Sequence, residues 1–366
     1  MNNIKKVLVI GLIPILLSSC NAKEKVLHDY YEDYFSVGAA VNGYNCESEL
    51  MKHFNSMTCE NAMKWSQVHP TDDSYTYVEA DSFVAIAKKN KIKIRGHALV
   101  WHESIPETVF ENAGEHYSKE VVLAKETEHI RNVMTHFGDD VYCWDVVNEA
   151  IDDNSSALEE DGSNIYRQST WYTLCGEDFL FNAFRTADAV RKELGLNVKL
   201  YYNDYSNDQE AKLSKTLAML QRMQAAGVPI DGVGMQCHYH LGSFNLDQLE
   251  KAIKAYSALG LDVQITEFDV SIYDETLAES NDARYWYGDY ESVPENSLAM
   301  QTAIYKRAFE LFRKYKDNIS NVTFWGVSDA NTYMNQDKNH VGRMNYPYIF
   351  DVYDEPKDSY YAITEF

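Results

Sequence analysis

The stretch Trp144-Asp145-Val146-Val147-Asn148-Glu149-Ala150 decides how the rest of the chain is interpreted. Its aromatic and β-branched residues predict a buried strand, which ends abruptly in an amide and a carboxylate. A second stretch, Asp262-Val263-Gln264-Ile265-Thr266-Glu267-Phe268-Asp269, has the same plan and also ends in glutamate. Charged residues commonly end strands at water, so one such glutamate alone would be ordinary. Two of them indicate a site for acid/base or nucleophilic chemistry.

From Phe35 onward, short apolar runs alternate with segments of helical periodicity, such as the one that contains Ile130, Val133, Met134 and Phe137. Eight strand–helix units predict class α/β and a single (β/α)8 TIM barrel, in which functional residues follow the ends of the strands. The predicted strands are Phe35–Val41, Asn55–Cys59, Ile92–Val100, Val141–Val147, Val198–Tyr202, Gly232–Cys237, Val263–Thr266 and Val322–Val327; the weakest predicted helix is Ser48–His53.

The segments around Glu149 and Glu267 resemble the acid/base and nucleophile segments of glycoside hydrolase family 10, the retaining endo-β-1,4-xylanases. The similarity extends over roughly Phe35–Ile363 and includes Asn203-Asp204-Tyr205, a signature to which we assign a structural role. The resemblance implies that Glu149 is the acid/base, that Glu267 is the nucleophile and that Asn148 binds the sugar 2-hydroxyl. Retention requires carboxyl groups about 5–5.5 Å apart. No cofactor and no metal are implied.

Two further strand ends resemble sugar-binding segments of the same family. Glu60, Asn61 and Lys64 follow strand two, and the resemblance implies that they bind a xylose two subsites from the cleaved bond. Sugars need both donors and acceptors, which this trio supplies. His97 and Trp101 follow strand three and are expected to line the subsite of the sugar whose bond breaks.

Strand six ends in His238-Tyr239-His240, a spacing that by itself also fits the ligand pair of a metal-dependent barrel hydrolase. The resemblance implies instead that His238 links Glu267 to Asp269 and keeps the nucleophile ionised. Gln236 is expected to contact Glu267 or the neighbouring sugar hydroxyl. His240 is interpreted as structural.

The chain departs from the family pattern at the last strand and after strand three. Trp325 matches the tryptophan that stacks on a sugar, but Tyr333 and Met334 stand where the family usually has tryptophan and arginine. Tyr333 is still expected to stack on substrate. Ser104 and Thr108 replace a usual glutamine and tryptophan, which alters the wall of the cleft. The aromatic segment 281–295 either extends the cleft or packs on itself.

The chain is strongly acidic, and its first residues are expected to form an export signal. Its formal charge is −23 at pH 7, which argues against nucleic acid and fits a neutral polymer as substrate. Lys5 and Lys6 precede the apolar run Val7–Leu17, which is too short to cross a bilayer. Leu17-Ser18-Ser19-Cys20 resembles the bacterial lipoprotein processing box, so Cys20 is the expected lipidation site.

These observations predict a signal peptide at residues 1–19, a short tether at 20–30 and one catalytic domain at 31–366. The protein is expected to be exported and lipid-anchored to a bacterial membrane, at the outer membrane or cell surface, and to be a monomer. Cys59, Cys143 and Cys237 lie in predicted strands and are interpreted as buried thiols. The expected partners are xylan and xylo-oligosaccharides. Besides the metal-dependent hydrolase, two alternatives remain open: a neighbouring barrel glycosidase acting on glucans or mixed polymers, and a carbohydrate-binding surface lipoprotein without turnover.

Overall fold

A computed structural model describes residues 25–43, 45–274, 282–336 and 341–366. Eight parallel strands form a closed barrel in which β8 pairs with both β1 and β7, which confirms the predicted (β/α)8 fold. The barrel strands are β1 (Ser36–Val41), β2 (Ser56–Cys59), β3 (Lys93–Gly96), β4 (Cys143–Asn148), β5 (Lys199–Asp204), β6 (Gly232–Met235), β7 (Asp262–Ser271) and β8 (Ile319–Phe324).

Helices on the outside of the barrel connect successive strands. The longer ones are α1 (Val78–Asn90), α2 (Lys119–Phe137), α3 (Asp178–Leu194), α4 (Glu210–Ala225), α5 (Leu246–Ala258), α6 (Glu295–Lys314) and α7 (Asp358–Thr364). Shorter elements include the α-helical segments Trp65–Val68 and Thr170–Cys175, the ribbon of Glu111–Asn112 with Glu115–His116, and the strand His238–His240. The 3-10 helices are Leu27–Tyr30, Glu49–His53, Glu107–Val109, Gly138–Asp140, Ala283–Tyr285, Tyr290–Ser292, Asp329–Asn331 and Tyr333–Gln336.

Helix α5 shows how the sequence directs these elements. Its apolar residues Leu249, Ile253 and Tyr256 are spaced along one face, and all three are fully buried against the barrel. Burial of each stabilises the fold by about 1.5–3 kcal/mol. The Asn245 side chain accepts hydrogen bonds from the first backbone N–H groups of the helix and fixes where it begins.

The structure corrects three of the predicted elements. The segment Ser48–His53 forms a 3-10 helix at Glu49–His53 and not an α-helix, so the first unit of the barrel lacks one. Strand β3 ends at Gly96, and single hydrogen bonds from the backbone N–H groups of Leu99 and Val100 resume the pairing with β4. Strand β7 continues to Ser271 because Asp269–Ser271 pair with His238–His240.

The interior of the barrel contains a buried polar cluster as well as apolar side chains. Arg95 is fully buried and donates two hydrogen bonds to Asp145, at 2.7 and 3.2 Å, and one to Gln264, at 2.6 Å. These three residues belong to β3, β4 and β7. The cluster therefore connects non-adjacent strands across the barrel beneath its carboxyl-terminal rim.

The two ends of the described chain meet near the opposite rim. The Tyr31 hydroxyl donates to the backbone oxygen of Ile363, and the Tyr31 ring lies 5.4 Å from that of Phe366. A cavity of about 440 Å³ at the amino-terminal ends of the strands is lined in part by Glu32, Tyr34 and Phe35. The chain thus enters the barrel at the amino-terminal ends of the strands, on the face opposite their carboxyl-terminal ends.

The described residues also bear on the cysteine and membrane predictions. Cys59, Cys143 and Cys237 are buried free thiols, as predicted, and so are Cys46 and Cys175. In the described ranges, no helix combines the length and apolar character needed to cross a membrane. The predicted signal peptide and the lipidation site Cys20 lie outside the described residues, as does part of the aromatic segment 281–295. Within that segment, Tyr287 stacks on Tyr273 at 5.1 Å.

Candidate active site

The two glutamates singled out in the sequence lie at the carboxyl-terminal rim, at β4 and β7. Glu267 is within β7 and is buried, whereas Glu149 directly follows β4 and is partly exposed. Glu149 has a φ of +57°, in the left-handed region that costs a non-glycine residue about 1–2 kcal/mol. Such a conformation persists where surrounding contacts hold it, and here the Glu149 N–H donates to the Asn203 carbonyl at 2.9 Å.

The Glu149 carboxyl group accepts hydrogen bonds from three side chains. Trp101 Nε1 donates to Oε2, while Asn148 Nδ2 and Gln236 Nε2 donate to Oε1, all at 2.9 Å. The placement of Gln236 differs from its expected contact with Glu267. Its side chain reaches from β6 towards β4, where Asn148 Oδ1, 3.4 Å away, is a second acceptor.

Glu267 is hydrogen-bonded on both of its oxygens. Asn203 Nδ2 donates to Oε1 at 2.8 Å, and His238 Nε2 lies 3.3 Å from Oε2. The other ring nitrogen of His238 is 2.8 Å from Asp269 Oδ2. The chain of contacts from Asp269 through His238 to Glu267 is therefore present, as the resemblance implied.

The His238 ring lies between two carboxylates, and this position sets its charge. A carboxylate accepts hydrogen bonds, so both ring nitrogens must donate, which requires the imidazolium form. Burial lowers the pKa of His238, but Asp269 and Glu267 outweigh it and raise the pKa to about 10. The positive ring therefore lies beside both Asp269 and Glu267.

An amide network joins the surroundings of the two glutamates. Asn203 Nδ2 donates to Asn148 Oδ1 at 2.9 Å as well as to Glu267. Asn203 Oδ1 accepts from the Thr266 hydroxyl at 2.6 Å, which fixes the orientation of the amide. Gly234 leaves room for it, because an added Cβ there would lie 2.2 Å from Asn203 Oδ1. The sequence led us to assign Asn203 a largely structural role, although its position at the end of β5 was a signal of function.

The trio after β2 lies on one side of the same rim. Lys64 Nζ donates to Asn61 Oδ1 at 3.0 Å and lies 4.9 Å from the centre of the Trp101 ring. Glu60 accepts a hydrogen bond from Asn42 at 3.1 Å. Burial holds the pKa of Lys64 below its ordinary value, although the nearby Glu267, among other carboxylates, acts in the opposite direction. The ammonium group thus extends this trio towards the glutamates.

Aromatic and imidazole rings line the mouth between β3 and β8. His97 is buried, with Nδ1 2.9 Å from Asp145 Oδ2, and its ring packs edge-on against Trp325 at 5.3 Å. Trp325 and Trp101 are partly exposed, so their faces can contact a ligand. Burial, together with the charge of Arg167, lowers the pKa of the neighbouring His102 to about 4, which leaves that ring neutral.

Tyr333 lies at the same mouth. Its hydroxyl donates to Asp269 Oδ2 at 3.3 Å and is 3.4 Å from His238 Nδ1. The side chain is about one-third exposed, at 37%. The tyrosine that replaces the usual tryptophan therefore adds a hydroxyl group next to the Asp269–His238 contact, while its exposed ring remains available to a ligand.

The metal-hydrolase alternative requires His238 to offer a nitrogen lone pair. Both nitrogens of that ring already face carboxylates, and within the described ranges no cluster of three or more His, Cys, Asp or Glu side chains could hold a metal ion. The arrangement instead presents two differently held carboxyl groups at one mouth. That combination suits proton transfer and nucleophilic attack on one bond.

A cavity of about 760 Å³ lies beyond Glu149, between the loops that follow β4, β5 and β6. Its lining is mostly polar and includes Asp153, Tyr205 and Lys212, with Phe244 as an apolar member. The trio after β2 does not line this cavity, so the rim offers polar groups to a ligand in two separate places.

Comparisons with known proteins agree with this geometry. The sequence model of glycosyl hydrolase family 10 matches residues 26–366. A beta-1,4-xylanase from Dictyoglomus thermophilum is 39% identical over 370 residues, which cover 98% of this chain and 98% of that protein. Endo-1,4-beta-xylanase A from Caldicellulosiruptor saccharolyticus is 40% identical over 343 residues, with 92% of this chain and 94% of that protein covered.

Solved structures show the same similarity in three dimensions. A mutant protein in complex with xylotriose has a TM-score of 0.84 and 37% identity, over 93% of this chain and all of that one. Xylanase XynB from Paenibacillus barcinonensis, complexed with a conduramine derivative, also has a TM-score of 0.84. It is 35% identical, over 94% of this chain and 99% of that one.

Proposed function

Since the chain belongs to glycosyl hydrolase family 10 and is an endo-1,4-β-xylanase, we propose that it cleaves internal bonds of xylan by double displacement with retention. In this proposal Glu149 is the acid/base and Glu267 is the nucleophile. The observation that supports it is the pair of glutamates at the rim. Glu267 is hydrogen-bonded by the His238 imidazolium and the Asn203 amide, whereas Glu149 is hydrogen-bonded by the Trp101 indole and the amides of Asn148 and Gln236.

The first step forms a covalent glycosyl-enzyme. An oxygen of Glu267 attacks the anomeric carbon while the bond from that carbon to the leaving sugar oxygen breaks. Glu149 gives its proton to the departing oxygen and becomes a carboxylate. The three donors around Glu149 then stabilise the charge that it has acquired. The His238 ring favours the ionised form that Glu267 needs before attack.

The second step reverses these roles. Formation of the ester removes the negative charge of Glu267, and Glu149 accepts a proton from a water molecule that attacks the anomeric carbon. The bond from that carbon to Glu267 breaks and the carboxylate is regenerated. Two inversions give a product with the starting anomeric configuration. The process requires a short separation between the two carboxyl groups, about 5–5.5 Å.

The substrate extends to both sides of the glutamates. We assign the glycone side to Glu60, Asn61 and Lys64, whose mixed donors and acceptors suit sugar hydroxyls, and the leaving side to the 760 Å³ cavity. Trp325 and Trp101 present partly exposed rings to the central sugars. Asn148 contacts the 2-hydroxyl of the sugar attacked by Glu267. A relative solved with xylotriose supports a xylo-oligosaccharide as the ligand.

Two substitutions separate the roles of the glutamates. Glu267→Ala should lower activity at least about 10⁴-fold on xylan and on aryl xylobiosides, because no nucleophile remains. Glu149→Ala should lower activity on xylan about 10²–10⁴-fold but slow the first step only slightly on 2,4-dinitrophenyl xylobioside, whose leaving group needs no proton. Initial rates measure the loss of activity, and pre-steady-state bursts measure the first step separately. NMR gives the anomeric configuration of the first product.

A matched control is Glu160→Ala, which removes an exposed loop carboxylate and should leave every rate unchanged. Equal losses in Glu149→Ala on xylan and on the activated substrate, or a product of inverted configuration, would contradict the proposal. Reducing-sugar release from xylan compared with carboxymethyl cellulose tests the preference for xylan over a glucan. Turnover should also be unaffected by chelators.

We further propose that Cys20 carries a lipid after removal of residues 1–19, and that the enzyme acts at a bacterial surface. The support is the leader Val7–Leu17 with its preceding lysines and the processing box that ends at Cys20. A radioactive fatty acid should label the wild-type chain in cells but not Cys20→Ala. An unlabelled wild type would exclude the anchor while leaving the catalytic proposal intact.

A further inference from the structure

Arg167 lies next to the strained residue Glu149, although 18 positions separate them in the chain. After β4 the chain leaves the barrel and returns, so that Ile151 pairs with Tyr166 in an antiparallel bridge. The backbone N–H of Arg167 donates to the Ala150 carbonyl at 2.9 Å. This pairing fixes the backbone of Arg167 beside the end of β4 independently of its side chain.

The guanidinium of Arg167 contacts the main chain of Glu149. Arg167 Nε donates to the Glu149 carbonyl oxygen at 3.0 Å, while the Glu149 N–H donates to Asn203. Both peptide groups that flank the left-handed Glu149 are therefore held by hydrogen bonds. Because the direction of the Glu149 side chain depends on this backbone conformation, loss of the Arg167 contact would remove one of the restraints that orient the carboxyl group.

The outer nitrogen of the same guanidinium contacts the lining of the 760 Å³ cavity. Arg167 Nη2 lies 2.8 Å from the Tyr205 hydroxyl and 2.7 Å from Asp153 Oδ2. The Tyr205 hydroxyl in turn donates to Asp153, and Lys212 Nζ lies 2.7 Å from Asp153 Oδ1. Tyr205, Asp153 and Lys212 all line the cavity. One planar group thus touches both the Glu149 backbone and the proposed leaving-side site.

We propose that Arg167 is a positioning residue that links occupancy of this cavity to the orientation of Glu149, an inference that rests on the proposed acid/base role of that residue. Xylosyl units bound against Tyr205 and Asp153 restrict the guanidinium. The restricted guanidinium holds the Glu149 carbonyl and so keeps the carboxyl group aligned with the departing oxygen. Arg167 moves no proton itself, so its contribution is greatest where the leaving group most needs protonation.

The first experiment varies the leaving group. In Arg167→Met, kcat/KM should fall about 100-fold on xylan and on phenyl xylobioside, the loss expected from misplacing a catalytic group by about 1 Å. On 2,4-dinitrophenyl xylobioside it should fall less than about 3-fold in the first step. Arg167→Lys keeps the charge and provides a folded second variant. It should show the same pattern, because an ammonium lacks the planar fork that reaches both partners.

Arg191→Met is the matched control. Arg191 is also partly buried and bonded to two aspartates, Asp188 and Asp231, but lies on α3, remote from the rim. Its loss should affect all leaving groups equally. Suppose that both Arg167 variants lose the same activity on activated and unactivated substrates, while Glu149→Ala still distinguishes the two kinds of substrate. That result would overturn the role of Arg167 and leave the proposed function intact. If Glu149→Ala also fails to discriminate, the proposed function fails.

The second experiment varies the length of the substrate on the leaving side. Wild-type kcat should rise as xylo-oligosaccharides gain units that enter the cavity, and this rise should disappear in Arg167→Met and Arg167→Lys. KM should vary with substrate length in the same way in the wild type and in both Arg167 variants, because the cavity itself remains. An undiminished rise of kcat with length in both variants would show that cavity occupancy does not act through Arg167.

Discussion

The side-chain amide of Asn203 contacts both halves of the site, because one nitrogen donates to Glu267 and to Asn148. Its oxygen is already committed to Thr266, so the amide cannot rotate to offer an acceptor to Glu267. A donor fixed in this way favours the ionised carboxylate. At the scale of single residues, the geometry of the nucleophile thus depends on which atom of one buried amide faces it.

Asn203→Asp tests that dependence with almost no change in shape. The new carboxylate would face Glu267 at hydrogen-bond distance, and two carboxylates so close must share a proton. We expect the acid limb of the pH profile of kcat/KM to move up by about one pH unit or more. Asn132→Asp, an exposed asparagine on α2, is the control for the added charge. An unshifted acid limb in Asn203→Asp would mean that this amide does not govern the ionisation of Glu267.

At the scale of elements, all eight strands could be predicted because their apolar runs are distinct. The prediction was weaker in β7 beyond Thr266. The apolar alternation changes phase there, from Val263 and Ile265 to Phe268 and Val270, at a shift of register against β8, while the strand goes on to pair with His238–His240. Gln236 was expected to contact Glu267 or a sugar hydroxyl, and its side chain instead donates to Glu149, while the contact with a sugar stays a prediction. Which of two nearby carboxylates a rim amide reaches depends on barrel stagger, and that is not encoded in local spacing.

The cluster of Arg95, Asp145 and Gln264 gives an element-scale prediction. Burial tends to raise the pKa of Asp145, but Arg95 and His97 lower it, so the carboxylate is ionised in the folded protein. Asp145→Asn would leave the Arg95 charge buried without its counter-ion and should reduce the free energy of unfolding by about 3–5 kcal/mol. Urea unfolding followed by circular dichroism measures the change.

Asp140→Asn is the control, because it removes one partner of the exposed pair Lys88–Asp140 and should cost less than about 1 kcal/mol. The pH dependence gives a second check. The pKa of Asp145 is lower in the folded state than in the unfolded state. The contribution of Asp145 to the free energy of unfolding is therefore complete above about pH 4 and is lost as the pH falls through the pKa of the folded state. If both variants lost the same free energy of unfolding, the buried Arg95–Asp145 pair would be no more important for stability than the exposed Lys88–Asp140 pair.

At the scale of the whole molecule, the dominant feature is the charge of −23. Like charges repel one another in the folded state more than in the expanded unfolded state, and added salt screens that repulsion. Raising NaCl from 10 mM to 300 mM at pH 7 should therefore raise Tm by about 1–3 °C. Calorimetry measures this change in Tm. Near the sequence pI of 4.8, where the net charge is close to zero, salt should no longer raise Tm. A Tm that falls with salt at pH 7 would show that the ion pairs outweigh the net repulsion.

The contact of Tyr31 with Ile363 bears on how the enzyme meets a solid substrate. Because the chain enters the barrel at the base, any attachment upstream of residue 25 holds the molecule by its closed end. Glu149 and Glu267 lie at the other end of the barrel, at the carboxyl-terminal ends of β4 and β7. If Cys20 carries the proposed lipid, membrane and polymer would therefore meet the molecule at opposite ends, and an insoluble fibre could reach the glutamates from the side away from the anchor.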